Sequence, residues 1–241
     1  MDAQFARKFV NTFQSKLEPP VRSHLKNVYA CLTLSTLVSG LAAWLGLAYP
    51  NVGLIQPGFL TQIGGVGLLI GLMATRNSKQ NQPLRMGMLA GLAYCIGTNL
   101  VPLLDVVIQI DPSIVVTALL STSVVFISFS MCALLSNRGK WLFLGAPLLS
   151  LMNVMLLLTV VSLFTGSFAA VYNVNIYLGL LAMCGFVLFD TQLIVEKRLM
   201  GDDDFIAHSV DLFIDLVGIF RRLLVILTKK EQDNRNKNKR E

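Results

Sequence analysis

The chain has 241 residues, 54% of them hydrophobic and only 14% charged, with a mean hydropathy of +0.63 and a formal net charge of +6. Soluble domains carry nearer a quarter of charged residues, so this composition excludes an ordinary soluble domain and points to an integral membrane protein. The N-terminus lacks a short apolar core with a small-residue cleavage site, and its first apolar run is long enough to span, so it reads as an anchor.

In chain order, Phe5, Phe9 and Phe13 recur at helical spacing with Arg7, Lys8 and Lys16 off that face, the pattern of a short helix in the headgroup region. Pro19 and Pro20 end any such helix. Residues 1–27 are therefore expected as a cytosolic N-terminal region. Seven apolar segments follow, each near the roughly 20 residues a span needs: Val28 to Tyr49, Leu54 to Ala74, Met86 to Leu104, Ile114 to Leu135, Trp141 to Phe164, Ala169 to Phe189, and Phe205 to Leu227. They predict an all-α, polytopic membrane helix bundle over residues 28–227, with six to seven transmembrane helices and the last one polar and central. Little chain remains for a soluble catalytic domain. Cys31, Cys95, Cys132 and Cys184 all fall in apolar runs without metal-ligand spacing, so free structural thiols are expected.

Within the segments, Gly67 and Gly71, and Gly87 and Gly91, have the four-residue spacing that lets helices approach closely. Asp111 before Pro112 reads as a helix cap. Thr117, Ser121 and Ser128 fall near one face of segment four, where they either line a wet path or bond locally, and Asn153 in segment five has the same two readings.

Lys and Arg cluster before segment one, between two and three, between four and five, between six and seven, and after seven. By the positive-inside rule the N-terminus and those loops are cytosolic. Seven full spans would then place the basic stretch Lys229 to Arg240 outside. Residues 228–241 are expected as a disordered cytosolic tail, with segment seven either re-entering on the cytosolic face or spanning against the rule.

The last hairpin holds the chemistry. His208, Asp211, Asp215, Gly218 and Arg222 form one stripe along segment seven, with Phe213, Ile214, Val217 and Leu224 on the other faces. Ionisable groups at membrane depth cost on the order of 3 kcal/mol on insertion scales and are expected to face protein or water. Folding back around Asp202 to Asp204, a triple that reads as a solvated turn, brings Asp190 level with the carboxylates of segment seven. Both Asp190 with Asp211 and Asp190 with Asp215 are geometrically open. Two carboxylates in a partly dehydrated site share a proton. Ionised, they repel unless a hard cation such as Ca²⁺ enters. The competing reading is that Arg221 or Arg222 neutralises Asp211 or Asp215 and only holds helices together. His208 reads more simply as a satisfied interfacial side chain.

The run Met183 to Glu196, containing Phe189-Asp190-Thr191-Gln192, resembles the Bax inhibitor-1 family, as do Asp211 to Asp215 and the Lys-rich tail. Supporting stretches are His24 to Tyr29, Leu72 to Thr75, Asp111 to Ile114 and Trp141 to Gly145. The resemblance implies a multi-pass endoplasmic reticulum membrane protein that lowers luminal Ca²⁺ by a pH-sensitive leak or an H⁺/Ca²⁺ exchange and suppresses stress-induced cell death. It also implies that the acid pair, and with it the Ca²⁺ position, is Asp190 with Asp215. Asp211, His208, Arg222 and Arg76 stand as supporting residues. In the family's bacterial members an Arg of the second helix lies against the first Asp; no basic residue lies within Leu54 to Ala74 here, and Arg76 is the nearest counterpart. The alternative is a membrane scaffold acting on Bcl-2-type cell-death regulators or Ca²⁺ release channels. No Ser/His/Asp, zinc or phosphate-loop constellation is present, so neither an enzyme, a cofactor nor a nucleic-acid partner is expected; Ca²⁺ and protons enter as transported ions and the bilayer as the solvent.

Overall fold

The computed structural model describes residues 17–49 and 57–238. Among them the chain forms seven α-helices and no strand: α1 (Pro19–Ala48), α2 (Phe59–Ala74), α3 (Gln82–Ile110), α4 (Ser113–Leu135), α5 (Gly145–Thr165, entered through a 3-10 turn at Leu142–Leu144), α6 (Phe168–Leu199) and α7 (Phe205–Asn238). Every apolar segment thus becomes a helix, the form that satisfies its own backbone without water. Five helical stretches are long and apolar enough to cross a bilayer: Pro19–Ala48, Gln82–Ile110, Ser113–Leu135, Leu142–Thr165 and Phe168–Leu199. The 16 residues of α2 reach about 24 Å at 1.5 Å each, short of a hydrocarbon core of about 30 Å. Among the described residues it starts at Phe59, where extended Gly58 serves as the N-cap and Thr61 Oγ1 accepts the Gly58 N–H at 3.0 Å.

Two boundaries differ from expectation. Helix α1 begins at the proline pair, ahead of the expected Val28, because a first-turn residue has no use for the N–H that proline lacks. The amphipathic stretch around Phe5, Phe9 and Phe13 lies outside the described residues. The tail expected to be disordered after Lys229 is helical through Asn238, since a helix already nucleated propagates readily through Lys, Glu, Gln and Arg. An Arg235–Glu231 ion pair at 2.8 Å, one turn apart, supports it.

Two compact units divide the described residues, one within Met1–Asn27 and Ser123–Asp203, the other within Val28–Thr122 and Asp204–Glu241. In the first unit, α5 and α6 are joined at Gly166, whose left-handed backbone (φ 70°) closes α5 with its N–H on the Ser162 carbonyl at 3.1 Å. They pair antiparallel, with Leu148 against Gly185 and Phe189 against Gly145. Asn175 Nδ2 donates to Thr159 Oγ1 at 2.7 Å.

In the second unit, one apolar cluster joins Cys31, Leu72, Leu89, Ile206 and Val210, and another joins Ala43, Leu104, Val107, Ile114 and Leu224. Helices α1, α3 and α7 pass from the first cluster to the second, while α2 ends at the first and α4 starts at the second. Helix α7 therefore runs alongside α3 in the same direction, without turning back. Arg235 comes near enough to Asp111, at the α3–α4 turn, for its charge to bear on that carboxylate. The apolar match between α7 and α3 continues past Arg221 and Arg222, from Phe220 to Leu224. A protease-cleavable tag inserted between Arg76 and Asn81 and another after Glu241 should thus report opposite faces of the membrane in sealed microsomes. Cleavage of both from one side would mean that α7 leaves α3 in a bilayer.

Candidate functional site

Of the stripe on α7, His208 and Asp215 are buried while Asp211, Gly218 and Arg222 are half-buried. Asp215 is 4% exposed and His208 1%, but Leu212, Phe213 and Leu224 are fully buried as well, with Ile214 open at 40%. The faces read as apolar backing are thus covered by protein too, in keeping with a polar and central last helix. Asp215 Oδ2 is shielded from solvent, whereas Asp211 is half-buried. The head of Arg222 donates to the Gly218 carbonyl of its own helix at 3.1 Å, and Arg221 is exposed.

At the start of α7 stands a pair that sequence reasoning missed. Arg85, in the first turn of α3, is the largest fully buried side chain. Its Nη1 donates to Asp204 Oδ1 at 2.8 Å and its Nη2 to Asp204 Oδ2 at 2.6 Å, the two-point geometry that matches guanidinium to carboxylate. Asp204 also caps α7, with Oδ1 accepting the Ala207 N–H at 3.0 Å and its carbonyl accepting the His208 N–H at 3.1 Å. The solvated turn expected at Asp202 to Asp204 holds for exposed Asp202 and Asp203 only. Burial pushes the Asp204 carboxyl up, but the Arg85 hydrogen bond, the Ala207 amide and the Arg85 charge together hold it below its ordinary value. One signal was available: Asp204 alone of the three directly precedes the periodic apolar run, the N-cap position.

Asp190 lies half-buried on α6. Two residues on, Gln192 is 4% exposed and fastens the turn between α4 and α5. Its Oε1 accepts the Trp141 N–H at 2.7 Å, and its Nε2 donates to the carbonyls of Ala133 at 3.1 Å and Asn137 at 3.0 Å. The Ala133 bond satisfies a carbonyl in the last turn of α4, and the Asn137 bond joins the Lys140 N–H on a carbonyl just beyond it. Arg138 donates twice to Glu196 at 3.0 Å beside it. A cleft of about 200 Å³ lies here, lined by Arg138, Gln192 and Glu196 but not by Asp190. Gln192 thus belongs to the Phe-Asp-Thr-Gln run for a positional reason that its spacing did not disclose.

Other expected contributors lie elsewhere. Arg76 is exposed beyond the end of α2, and its carbonyl accepts from Asn81 Nδ2 at 3.1 Å. Thr117 and Ser128 are exposed and Ser121 is half-buried, so the hydroxyl stripe of α4 does not line the interior; Thr117 bonds back to the Ser113 carbonyl at 3.0 Å. Asn153 is likewise exposed. Asp111 is the cap expected: its Oδ1 accepts the Ser113 N–H at 2.8 Å, and that bond holds its carboxyl below the usual range. The four cysteines are free thiols. Among the described residues no three His, Cys, Asp or Glu side chains gather as a metal-binding group.

Residues 21–232 match the family described as Inhibitor of apoptosis-promoting Bax1. The chain is 44% identical over 223 residues to Bax inhibitor 1 of Bos taurus, covering 92% of this chain and 93% of that protein. It is 40% identical over 225 residues to Bax inhibitor 1 of Homo sapiens, covering 93% of each. To Bax inhibitor 1 of Arabidopsis thaliana it is 35% identical over 218 residues, 90% of this chain and 85% of that one.

Proposed function

The chain belongs to the Bax inhibitor 1 family, and from that premise we propose that it is a membrane protein that suppresses stress-induced cell death. In this reading it resides in the endoplasmic reticulum and lowers luminal Ca²⁺ through a proton-gated path. The observation that carries the reading is Asp215: a carboxylate 4% exposed, on a helix buried almost all round, in a chain with five helices able to cross a bilayer. An ionisable group so placed is a functional candidate by default.

In this reading Asp190, which the family resemblance pairs with Asp215, supplies the second carboxyl. Two such groups with little water hold one proton between them, and the protonated pair closes by a hydrogen bond. Loss of the proton leaves two negative charges that a passing cation relieves. A pair offers Ca²⁺ only part of its six to eight oxygen ligands, which suits an ion in transit better than one in residence. Arg76 is too exposed to latch this pair from within the bundle, and Arg222 is engaged with its own helix.

Liposomal Ca²⁺ flux of the purified protein from about pH 6 to 8 tests the reading, a window that brackets raised carboxyl values. Asp190→Asn and Asp215→Asn should each flatten the pH profile, and the double variant should be little worse than either, because a coupled pair titrates as a unit. Asp211→Asn is the internal control, with a smaller effect. An unchanged profile in all three single variants would make the carboxylates structural and leave a scaffold for cell-death regulators as the function.

A further inference from the structure

Asp204 and Asp215 are about three turns apart on α7, so they point from nearly the same face, with His208 and Asp211 between them on it. One strongly directional contact on that face is the fork between Arg85 and Asp204. Both Nη groups of Arg85 and both carboxylate oxygens take part, and Oδ1 is shared with the first turn of α7. Apolar clusters farther along, one holding Leu92 and Val210 and the other Leu104 and Leu224, bind α7 to α3 but tolerate sliding and rotation. A two-point ion pair does not.

We propose that Arg85 is a positioning residue for Asp215: acting through Asp204, it sets the rotation and depth of α7 and so aims the carboxyl-bearing face. The functional half of this inference rests on the Asp190–Asp215 reading; the structural half stands without it. Asp204 is held below the ordinary carboxylate range and stays ionised near neutrality. Any change in a neutral-range profile on altering this pair must therefore come through another group.

Arg85→Gln combined with Asp204→Asn makes the test, since it removes both charges together and Asn still caps a helix. Arg85→Lys is the companion variant, retaining the charge without the fork. Backbone hydrogen exchange of the full-length protein in detergent reads position without reference to flux. In the double variant, exchange should quicken several-fold across residues 209–217 as well as in the first turn, and Arg85→Lys should show the same pattern more weakly. Acceleration confined to residues 205–208 in both variants would overturn the proposal and leave the pair as a helix cap alone. In liposomes, the double variant should move the midpoint of the Ca²⁺ flux profile by about one pH unit, a tenfold change in proton affinity. An unmoved midpoint in a protein with altered exchange at 209–217 would overturn the aiming role. Wild-type liposomes without pH-dependent flux would instead defeat the gating reading, and the exchange pattern would still decide whether Arg85 fixes α7.

Discussion

Arg85→Met, with Asp204 left in place, is expected to cost about 3–5 kcal/mol and to remove most of the assembled protein, the usual penalty for stranding one member of a buried pair. The arginine is 1% exposed and its carboxylate partner lies within 2.6 Å. Arg85→Gln with Asp204→Asn should be far milder, because no uncompensated charge remains. Thermal unfolding in detergent separates the two, and equal loss in both would show that packing, not charge, governs the position. The pH dependence follows from the lowered Asp204 value. A group depressed in the folded state contributes stability that is complete above its unfolded pKa of about 3.9 and is lost as pH falls through the lower folded value. This pair should therefore add nothing to the slope of stability between pH 5 and 8 and should fail only in strong acid, below about pH 4.

Gly97→Ala should be the most damaging glycine substitution in the second unit. A Cβ built at Gly97 falls into the Ser39 carbonyl of α1, with the Ser39 Cα and carbonyl carbon both at 2.8 Å. Backbone cannot step aside as a side chain can, so the cost should reach or pass the upper end of the roughly 1–3 kcal/mol typical of overpacking. Gly91→Ala meets only the end of Leu68 at 2.9 Å and should be tolerated better. Gly67→Ala and Gly87→Ala meet nothing within 4 Å and should leave the melting temperature almost unchanged. Comparable losses in all four would mean that α1 and α3 do not approach this closely in the membrane protein.

That contrast also shows where sequence reasoning reached its limit. The paired glycines were conspicuous, yet only Gly71 and Gly91 of the four face the α2–α3 contact. The closest approach of the unit falls on Gly97, whose four-residue partner is Ala93, fully buried and easily passed over. Helix number and the stripe on α7 were legible because length, hydropathy and a 3.6-residue period are local properties. Arg85 was not: a lone cation at the edge of an apolar run reads as a topology signal, and nothing in the chain announces a partner 119 positions away. The course of α7 stayed open in the sequence for a different reason. Basic residues after Leu227 argue for the cytosolic side, while seven full spans would place them on the other, and a charge rule and a span count are separate signals that need not agree.

The shared direction of α3 and α7 has an electrostatic consequence. Parallel helices present like ends together, so the positive poles of two helix dipoles converge where both begin. Asp204 caps one of them, and the first turn of the other lies within reach of a single guanidinium. Each pole favours an anion there by about 0.3–1 kcal/mol, more when partly buried. These fields add to Arg85 in the same sense and make the entrance of α7 a place where negative charge is fixed. In the proton-gated reading proposed above, the titrating group lies farther along the helix, beyond the reach of those poles.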